Sequence, residues 1–197
     1  MYVNVLLPIV LVCALSGQPS TEVIAIRAYD LHSKVTQKET HNLTQAIYEA
    51  SEYWDIPTNI ITAVVEHETT YKPKSKSSYG CVGPMQLLPK TAKKLARKLG
   101  LKKPNLLDIK TNIWIGTAYL KNMFERYHNW GATLTAYNIG PAGYEHKHRI
   151  NNYAKAILKT LPKIKSLESY YQKVGPVCSL KEFEERVVPE PNMCYSN

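Results

Sequence analysis

The sequence lacks the short motifs that mark common metal, cofactor and nucleophile sites. None of its four cysteines forms a Cys-x-x-Cys pair, so a zinc or thioredoxin-type site is not expected. His67-Glu68 opens a His-Glu-x-x-His motif, but Tyr71 stands where the second metal ligand is needed. A Walker loop, a dinucleotide fingerprint and a Gly-x-Ser-x-Gly elbow are also absent. We therefore expect no cofactor and no metal.

The sequence also lacks an apolar run long enough to cross a bilayer comfortably. Residues 3–15 are nearly all apolar, but a spanning helix needs about 20 such residues. Their length and the small residues that follow suit a secretory signal peptide over 1–17, although the basic n-region is missing. An uncleaved anchor or a buried N-terminal segment are the alternatives. We expect an exported chain without a stable membrane span, in the periplasm or on the wall side of the membrane.

Acidic residues are outnumbered in a chain of 197 residues, 25 Lys and Arg against 16 Asp and Glu. The length suits one domain with short extensions. The net charge of +9 suggests an anionic partner, unless the lysines merely solvate helix faces. Basic residues cluster over 90–103, but no aromatic residues alternate with them, so nucleic acid is not the expected partner. In an exported protein, Cys178 and Cys194 could pair and pin the tail 166–197.

Helical periodicity begins only after a weakly patterned stretch. We interpret residues 18–41 as a linker or loose N-terminal extension, and the helical pattern starts at Asn42. Pro57 ends this helix, because a proline disfavours helix at the residue before it. The next helix is predicted from about Thr58 to Thr70, with Thr58 or Asn59 as its cap.

The two glutamates of that helix are predicted to differ. Glu68 follows Val64 and Val65 by four and three residues, so it lies on the apolar face. Glu66 points nearly the opposite way and is expected to be solvated. Burial raises the pKa of a carboxyl group, which lets Glu68 serve as a general acid. The alternative is a structural glutamate that reaches solvent or binds a backbone amide.

The remainder of the chain is predicted as a loop or short hairpin followed by further helices. Asp108 suits the N-cap of a long helix, and Gly140-Pro141 must break a later one. The predicted segments are a loop or hairpin over 72–84 and helices over 91–99, 109–127, 131–137 and 151–159, the last with Tyr153, Ile157 and Leu161 inward.

Three ordered blocks carry a family resemblance that covers about residues 42–160. The stretch from Glu68 to Ala92 resembles the pattern Glu-Ser-x-Phe-x-Pro-x-Ala-x-Ser-x-x-Gly-Ala-x-Gly-Leu-Met-Gln-Leu-x-Pro-x-Thr-Ala without a gap. Asn112 and Gly116 begin a second block, and Ala136-Tyr137-Asn138-Ile139-Gly140-Pro141 forms the third. These blocks are similar to those of the lytic transglycosylase catalytic domain, of lysozyme-like fold. Pro84 departs from the pattern and cannot donate a backbone hydrogen bond, so the wall beside it is expected to differ in detail.

The resemblance implies a mainly α, lysozyme-like domain over 42–165, with a short loop or hairpin beside the active-site helix. It implies cleavage of the β-1,4 bond between N-acetylmuramic acid and N-acetylglucosamine in peptidoglycan, with formation of a 1,6-anhydro product. Glu68 would act first as acid and then as base. The implied substrate-binding residues are Ser77, Met85, Gln86, Tyr137 and Asn138. Core packing is the alternative for Met85 and Tyr137, and turn formation for Asn138.

A single carboxylate suffices for this reaction, whereas ordinary glycosidases need two. Glu145 is the candidate for a second carboxylate, and goose-type lysozyme hydrolysis is the alternative activity. A low-turnover, wall-binding component of a secretion, conjugation or phage apparatus is the alternative from another class. We expect a monomer that binds peptidoglycan glycan strands, with such machinery as a further candidate partner and virion association in the phage case.

Overall fold

A computed structural model describes residues 19–31 and 35–174. The predicted leader and the proposed Cys178–Cys194 pair lie outside the described residues. Within them the chain is mainly α-helical, as predicted, and its extended segments form only two isolated bridges, Lys76↔Val82 and Val82↔Leu87. The helices are α1 Pro19–Leu31, α2 Gln37–Trp54, α3 Thr58–Thr69, α4 Pro89–Lys98, α5 Ile109–Tyr127, α6 Trp130–Ile139, α7 Pro141–Lys147 and α8 Asn152–Val174.

The core lies among α2, α3, α5, α6 and α8. The most extensive helix contacts join α2 to α5 and α5 to α6, while α3 packs against α8. Fully buried side chains from these helices fill the centre, among them Ile47, Ile61, Ile113, Leu134 and Ile157. Within the described residues, no helix is long and apolar enough to cross a membrane.

The interpretation of residues 18–41 as a linker or loose extension is corrected by α1. Every residue from Val23 to Ala28 is buried, and α1 contacts α2, α3 and α8. A helix covered on several sides has no polar stripe, so its sequence shows little helical periodicity. The following helix begins at Gln37 rather than at Asn42. Thr36 and Glu39 form its capping box, in which the Thr36 hydroxyl accepts from the Glu39 amide at 3.2 Å.

The structure confirms that α2 ends before Pro57: its last residue is Trp54, and Asp55 caps it in the left-handed conformation. The expected cap of α3 is wrong, because Pro57 occupies the N-cap position and no side chain caps the helix. The Thr58 hydroxyl instead lies 2.9 Å from the hydroxyl of Ser51. This contact between the two hydroxyl groups joins α2 to α3.

The remaining predicted elements occur in the predicted order, and α7 is a further helix that was not predicted. Asp108 caps α5, accepting from the Thr111 amide at 2.8 Å, and Gly140 separates α6 from α7. The last described helix continues to Val174, well beyond the predicted end at residue 159. Residues 166–174 of the predicted tail are thus helical. The domain boundaries at 42 and 165 stay predictions.

Candidate active site

Glu68 lies in the last turn of α3 and faces α8. Its Oε1 accepts a hydrogen bond from the hydroxyl of Tyr153 at 2.6 Å. Burial raises the pKa of Glu68 because the charged form loses its hydration, while the hydrogen bond from Tyr153 opposes this rise. The predicted inward direction of Glu68 is consistent with this contact. The result is a carboxyl group that binds its proton more tightly than a solvated glutamate does.

Tyr153 and Tyr137 flank this carboxyl group. Burial raises the pKa of both phenols well above the ordinary value, and the nearby charge of Glu68 adds to each shift. Both therefore stay protonated near neutral pH, and Tyr153 is a donor to Glu68. The Tyr153 ring also meets the edge of His67, with ring centroids 5.0 Å apart. The sequence predicted that Tyr153 points inward but did not indicate a role for it. The only sign of a role was that its polar group lies on an apolar stripe.

Met85 is the centre of a hydrogen-bonded cluster on the other side of Tyr137. We call this cluster, which consists of Met85, Tyr137, Asn112 and the loop around Val82, the wall. The Tyr137 hydroxyl donates to the Met85 carbonyl at 2.8 Å, and the Met85 amide donates to Asn112 Oδ1 at 2.9 Å. The Asn112 side chain also donates to the carbonyls of Val82 and Leu106, at 2.8 and 2.9 Å. Since Asn112 is fully buried, these bonds fix the loop against α5.

Two glycines of the matched pattern leave the space that this wall needs. A Cβ on Gly116 would lie 2.4 Å from the sulfur of Met85. A Cβ on Gly83 would lie 2.2 Å from Asn112 Nδ2, and its φ of +78° also favours glycine. The wall is joined to α3 as well, because the Thr69 hydroxyl donates to the Pro84 carbonyl at 3.2 Å. Both glycine positions thus serve the packing of Met85 and Asn112.

The other predicted site residues lie around this wall without binding Glu68 in the described part of the chain. The Ser77 hydroxyl accepts from the Cys81 amide at 3.0 Å, inside the hairpin-like loop. Gln86 has a left-handed φ of 45°, and its side-chain amide donates to the Gly83 carbonyl at 2.9 Å. Asn138 is exposed and accepts from Asn151 at 3.0 Å. Their roles in substrate binding stay predictions.

Met85 and Tyr137 are both buried, with 0% and 8% of their surfaces exposed. Their side chains therefore lie within the wall rather than on its surface. The packing alternative accounts for Met85. Tyr137 is packed in the same way, and burial followed by the charge of Glu68 raises the pKa of its phenol.

Glu66 is not solvated, which corrects the sequence-based expectation. Arg27 of α1 donates from Nε to Glu66 Oε2 at 2.5 Å, and its terminal nitrogen Nη2 donates to Oε1. Tyr71 also donates to Oε2, at 3.2 Å. The side chains of Arg27 and Glu66 are 5% and 15% exposed. The expectation was wrong because α1, which was not predicted, covers this side of α3.

Glu145 is engaged away from Glu68. Its Oε1 accepts from the Tyr127 hydroxyl at 3.2 Å and forms an ion pair with Arg126. Among the described residues no contact joins Glu145 to Glu68, so its role as a second carboxylate has no structural support. In that part of the chain, no group of three His, Cys, Asp or Glu side chains could hold a metal ion.

Comparison with known proteins gives a consistent result. The soluble lytic murein transglycosylase of Escherichia coli K12 is 37% identical over 92 residues, which are 44% of this chain and 14% of that protein. The transglycosylase of Enterobacteria phage PRD1 is 28% identical over 117 residues, 59% of this chain and 42% of that protein. This chain thus spans less than half the length of either relative.

The fold is similar to that of an inactive mutant of the lytic transglycosylase Slt from Pseudomonas aeruginosa. The TM-score is 0.51 at 23% identity, and the match covers 68% of this chain and 24% of that one. Residues 45–159 match the family model described as the transglycosylase SLT domain. Since this match includes Glu68, the wall of Met85 and the Tyr137 block, and spans more than half of the sequence, the chain belongs to the transglycosylase SLT domain family.

Proposed function

We propose that this protein is a peptidoglycan lytic transglycosylase with Glu68 as its only catalytic carboxyl group. The observation that carries the proposal is the environment of Glu68: a partly buried carboxyl group with a raised pKa and one tyrosine donor on Oε1. A general acid works best when its pKa lies near the working pH. Burial of Glu68 moves its pKa in that direction.

The proposed reaction cleaves the β-1,4 bond between N-acetylmuramic acid and N-acetylglucosamine. Protonated Glu68 donates to the glycosidic oxygen, and the bond from C1 to that oxygen breaks with its electron pair going to the leaving sugar. The N-acetyl oxygen of the substrate stabilises the positive charge at C1. Glu68, now a carboxylate, takes the proton from the muramoyl 6-hydroxyl, whose oxygen bonds to C1. The 1,6-anhydro ring closes, and Glu68 is protonated again.

Tyr153 supports both halves of this cycle. Its hydrogen bond occupies Oε1 and leaves Oε2 to exchange the proton with substrate. The bond favours the carboxylate form, whereas burial favours the protonated form. These opposing effects keep Glu68 usable as an acid in the first step and as a base in the second.

Substrate binding is assigned to the polar groups around the wall. Gln86 and Asn138 offer side-chain amides, and Ser77 offers a hydroxyl in the neighbouring loop. Buried Met85 and Tyr137 hold the shape of this surface, because their hydrogen bond fixes the loop carbonyl beside Gln86. A monomeric chain, exported to the periplasm or the wall side of the membrane, would meet glycan strands there; secretion, conjugation or phage machinery would determine where it cuts.

Mass spectrometry of purified peptidoglycan digested with this chain tests the proposal, with Glu68→Gln as the control. We expect products one water lighter than hydrolysed muropeptides, and none from the variant. Reducing-end products would instead indicate goose-type hydrolysis and return attention to Glu145. No products from the folded parent protein would contradict the enzyme proposal and favour a wall-binding component that needs its apparatus.

A further inference from the structure

The positive charge of this protein is concentrated in one segment. Residues 69–107 contain ten lysines and arginines and no acidic residue, whereas the rest of the chain has 15 basic and 16 acidic residues. The net charge of +9 therefore arises entirely from this segment. We call its ten basic residues the cationic arc: Lys72, Lys74, Lys76, Lys90, Lys93, Lys94, Arg97, Lys98, Lys102 and Lys103.

All ten side chains of the cationic arc are available to a partner. Every one is exposed, and none forms an ion pair with an acidic residue in the described ranges 19–31 and 35–174. Four basic residues outside the arc, Arg27, Lys110, Lys121 and Arg126, each have an acidic neighbour. Ten like charges within one segment repel one another, so a polyanion that neutralises them gains free energy on binding.

The surroundings of the arc argue against a membrane or a single-stranded nucleic acid as its partner. The apolar side of α4, formed by Ala92, Leu95 and Ala96, is buried, so α4 has no apolar face to insert into a bilayer. Among residues 69–107 the aromatic side chains are Tyr71, which is buried, and Tyr79, which is exposed, so bases would find a single ring on which to stack. What remains is a surface that acts mainly through charge.

Two residues of the arc are close in sequence to the candidate site. Lys72 follows Glu68 by four residues, and Lys90 follows Gln86 by four. Lys93, Arg97, Lys102 and Lys103 line one cavity of about 560 Å³. We therefore expect a glycan strand bound beside Glu68 and Gln86 to have basic residues near it.

We propose that the cationic arc binds the free carboxylates on the peptide stems of the wall polymer, outside the sugars being cut. The inference rests on the proposed function, since the site beside Glu68 must bind that polymer. Stem carboxylates recur along the glycan, so several arc residues bind at once. Each exposed contact contributes little alone, and their sum holds the enzyme on its insoluble substrate.

Co-sedimentation with insoluble peptidoglycan tests this inference. All variants carry Glu68→Gln, so that binding is measured without cleavage of the polymer. The test variant replaces Lys93, Lys94 and Arg97 by glutamine, which keeps the helix propensity of α4. The matched control replaces Lys155, Lys159 and Lys165 of α8, which are also exposed, and removes the same charge. Circular dichroism confirms that both variants are folded. The probes are intact peptidoglycan, the same glycan after enzymatic removal of its stems, and a duplex DNA fragment.

At low salt we expect the test variant to bind intact peptidoglycan about tenfold more weakly, from three contacts that each contribute a factor of about two. The control should change less than about twofold, and the difference should vanish near 0.5 M salt because exposed charges are screened. The assignment to stem carboxylates is overturned if both variants lose binding equally. It is also overturned if the test variant loses as much binding to glycan without stems as to intact peptidoglycan. A loss confined to DNA would instead identify a nucleic-acid surface. Absence of lytic products in the earlier digestion would leave these binding results unaffected.

Discussion

Glu66 and Glu68 are two residues apart on one helix, yet they occupy opposite kinds of environment. Glu66 shares both carboxylate oxygens with Arg27, and Tyr71 donates a third hydrogen bond. Glu68 has a single donor, Tyr153, and no basic side chain pairs with it among the described residues. Both groups lose water, but only Glu66 is compensated by a positive charge.

The difference shows how one helix can carry a structural and a reactive carboxylate. A carboxylate whose two oxygens are both bound by a guanidinium group serves to hold two helices together. A buried carboxyl group with an unoccupied oxygen has a raised pKa and can exchange a proton with substrate. Glu66 therefore attaches α3 to α1, and Glu68 is left available for chemistry.

Exchanging each glutamate for glutamine gives the largest expected effect. Glu68→Gln should lower the rate of glycan cleavage by about 10³-fold, since a positioned general acid contributes roughly 10² to 10⁴. Glu66→Gln should retain the chemistry in the folded fraction, because it removes only the ion pair with Arg27. Release of soluble anhydro-muropeptides with time measures both. Loss of turnover in folded Glu66→Gln, with activity kept in Glu68→Gln, would reverse the two roles.

Removing the partner of Glu66 should have the next largest effect, on stability. Arg27→Met leaves the Glu66 carboxylate buried without its cation and should lower the free energy of unfolding by about 3 kcal/mol. Urea denaturation followed by circular dichroism measures the change. The double variant Arg27→Met with Glu66→Gln serves as the control and should be more stable than Arg27→Met alone. Equal stability of parent and Arg27→Met would show that α1 does not depend on this pair.

The same pair of residues marks how far the sequence could predict the site. The inward direction of Glu68 followed from its spacing to Val64 and Val65, because helical geometry is local. The surroundings of Glu66 did not follow, because its partner Arg27 lies 39 residues earlier in a helix without clear periodicity. Direction on a helix is a local property, but what covers a face depends on tertiary packing.

Tyr153 illustrates the same limit within the site. It reaches Glu68 across 85 residues of sequence, and it lies outside the blocks that carry the family resemblance. The wall around Met85 could be foreseen only as a motif, whereas the buried hydrogen bonds of Asn112 explain why that motif needs its glycines. The predicted helices occur in the predicted order, since caps and breakers such as Asp108 and Gly140 act on their own neighbours. Helices α1 and α7 were not predicted.

Removing the one donor of Glu68 should have a smaller effect on rate and a distinct effect on pH dependence. Tyr153→Phe removes the hydrogen bond that lowers the pKa of Glu68, so this pKa should rise further and the basic limb of the pH–rate profile should move to higher pH. The rate at the optimum should fall about tenfold, the equivalent of one hydrogen bond to a charged group. Steady-state rates between pH 4 and 9 measure both effects.

Tyr119→Phe is the matched control for that experiment. Tyr119 packs against Tyr137 with ring centroids 5.4 Å apart, and its hydroxyl makes no hydrogen bond in the described structure. Its removal should leave the position of the basic limb unchanged. An equal shift in both variants would mean that the limb reports general repacking of the site rather than the bond between Tyr153 and Glu68.

The smallest expected effect is on the pH dependence of stability, and it concerns Glu68. The folded pKa of Glu68 is raised, so the folded protein binds this proton more tightly than the unfolded chain does. Above the folded pKa the buried charge therefore destabilises the parent, and this deficit disappears as the pH falls towards the unfolded value of about 4.3. Glu68→Gln has no charge at any pH, so its stability advantage should be widest at neutral pH and should close in acid.

Glu66→Gln should instead be less stable than the parent at neutral pH, because it loses its pairing with Arg27. Urea midpoints between pH 7 and 4 measure both differences, and a gap for Glu68→Gln that widens in acid would mean that burial does not dominate at this carboxyl group.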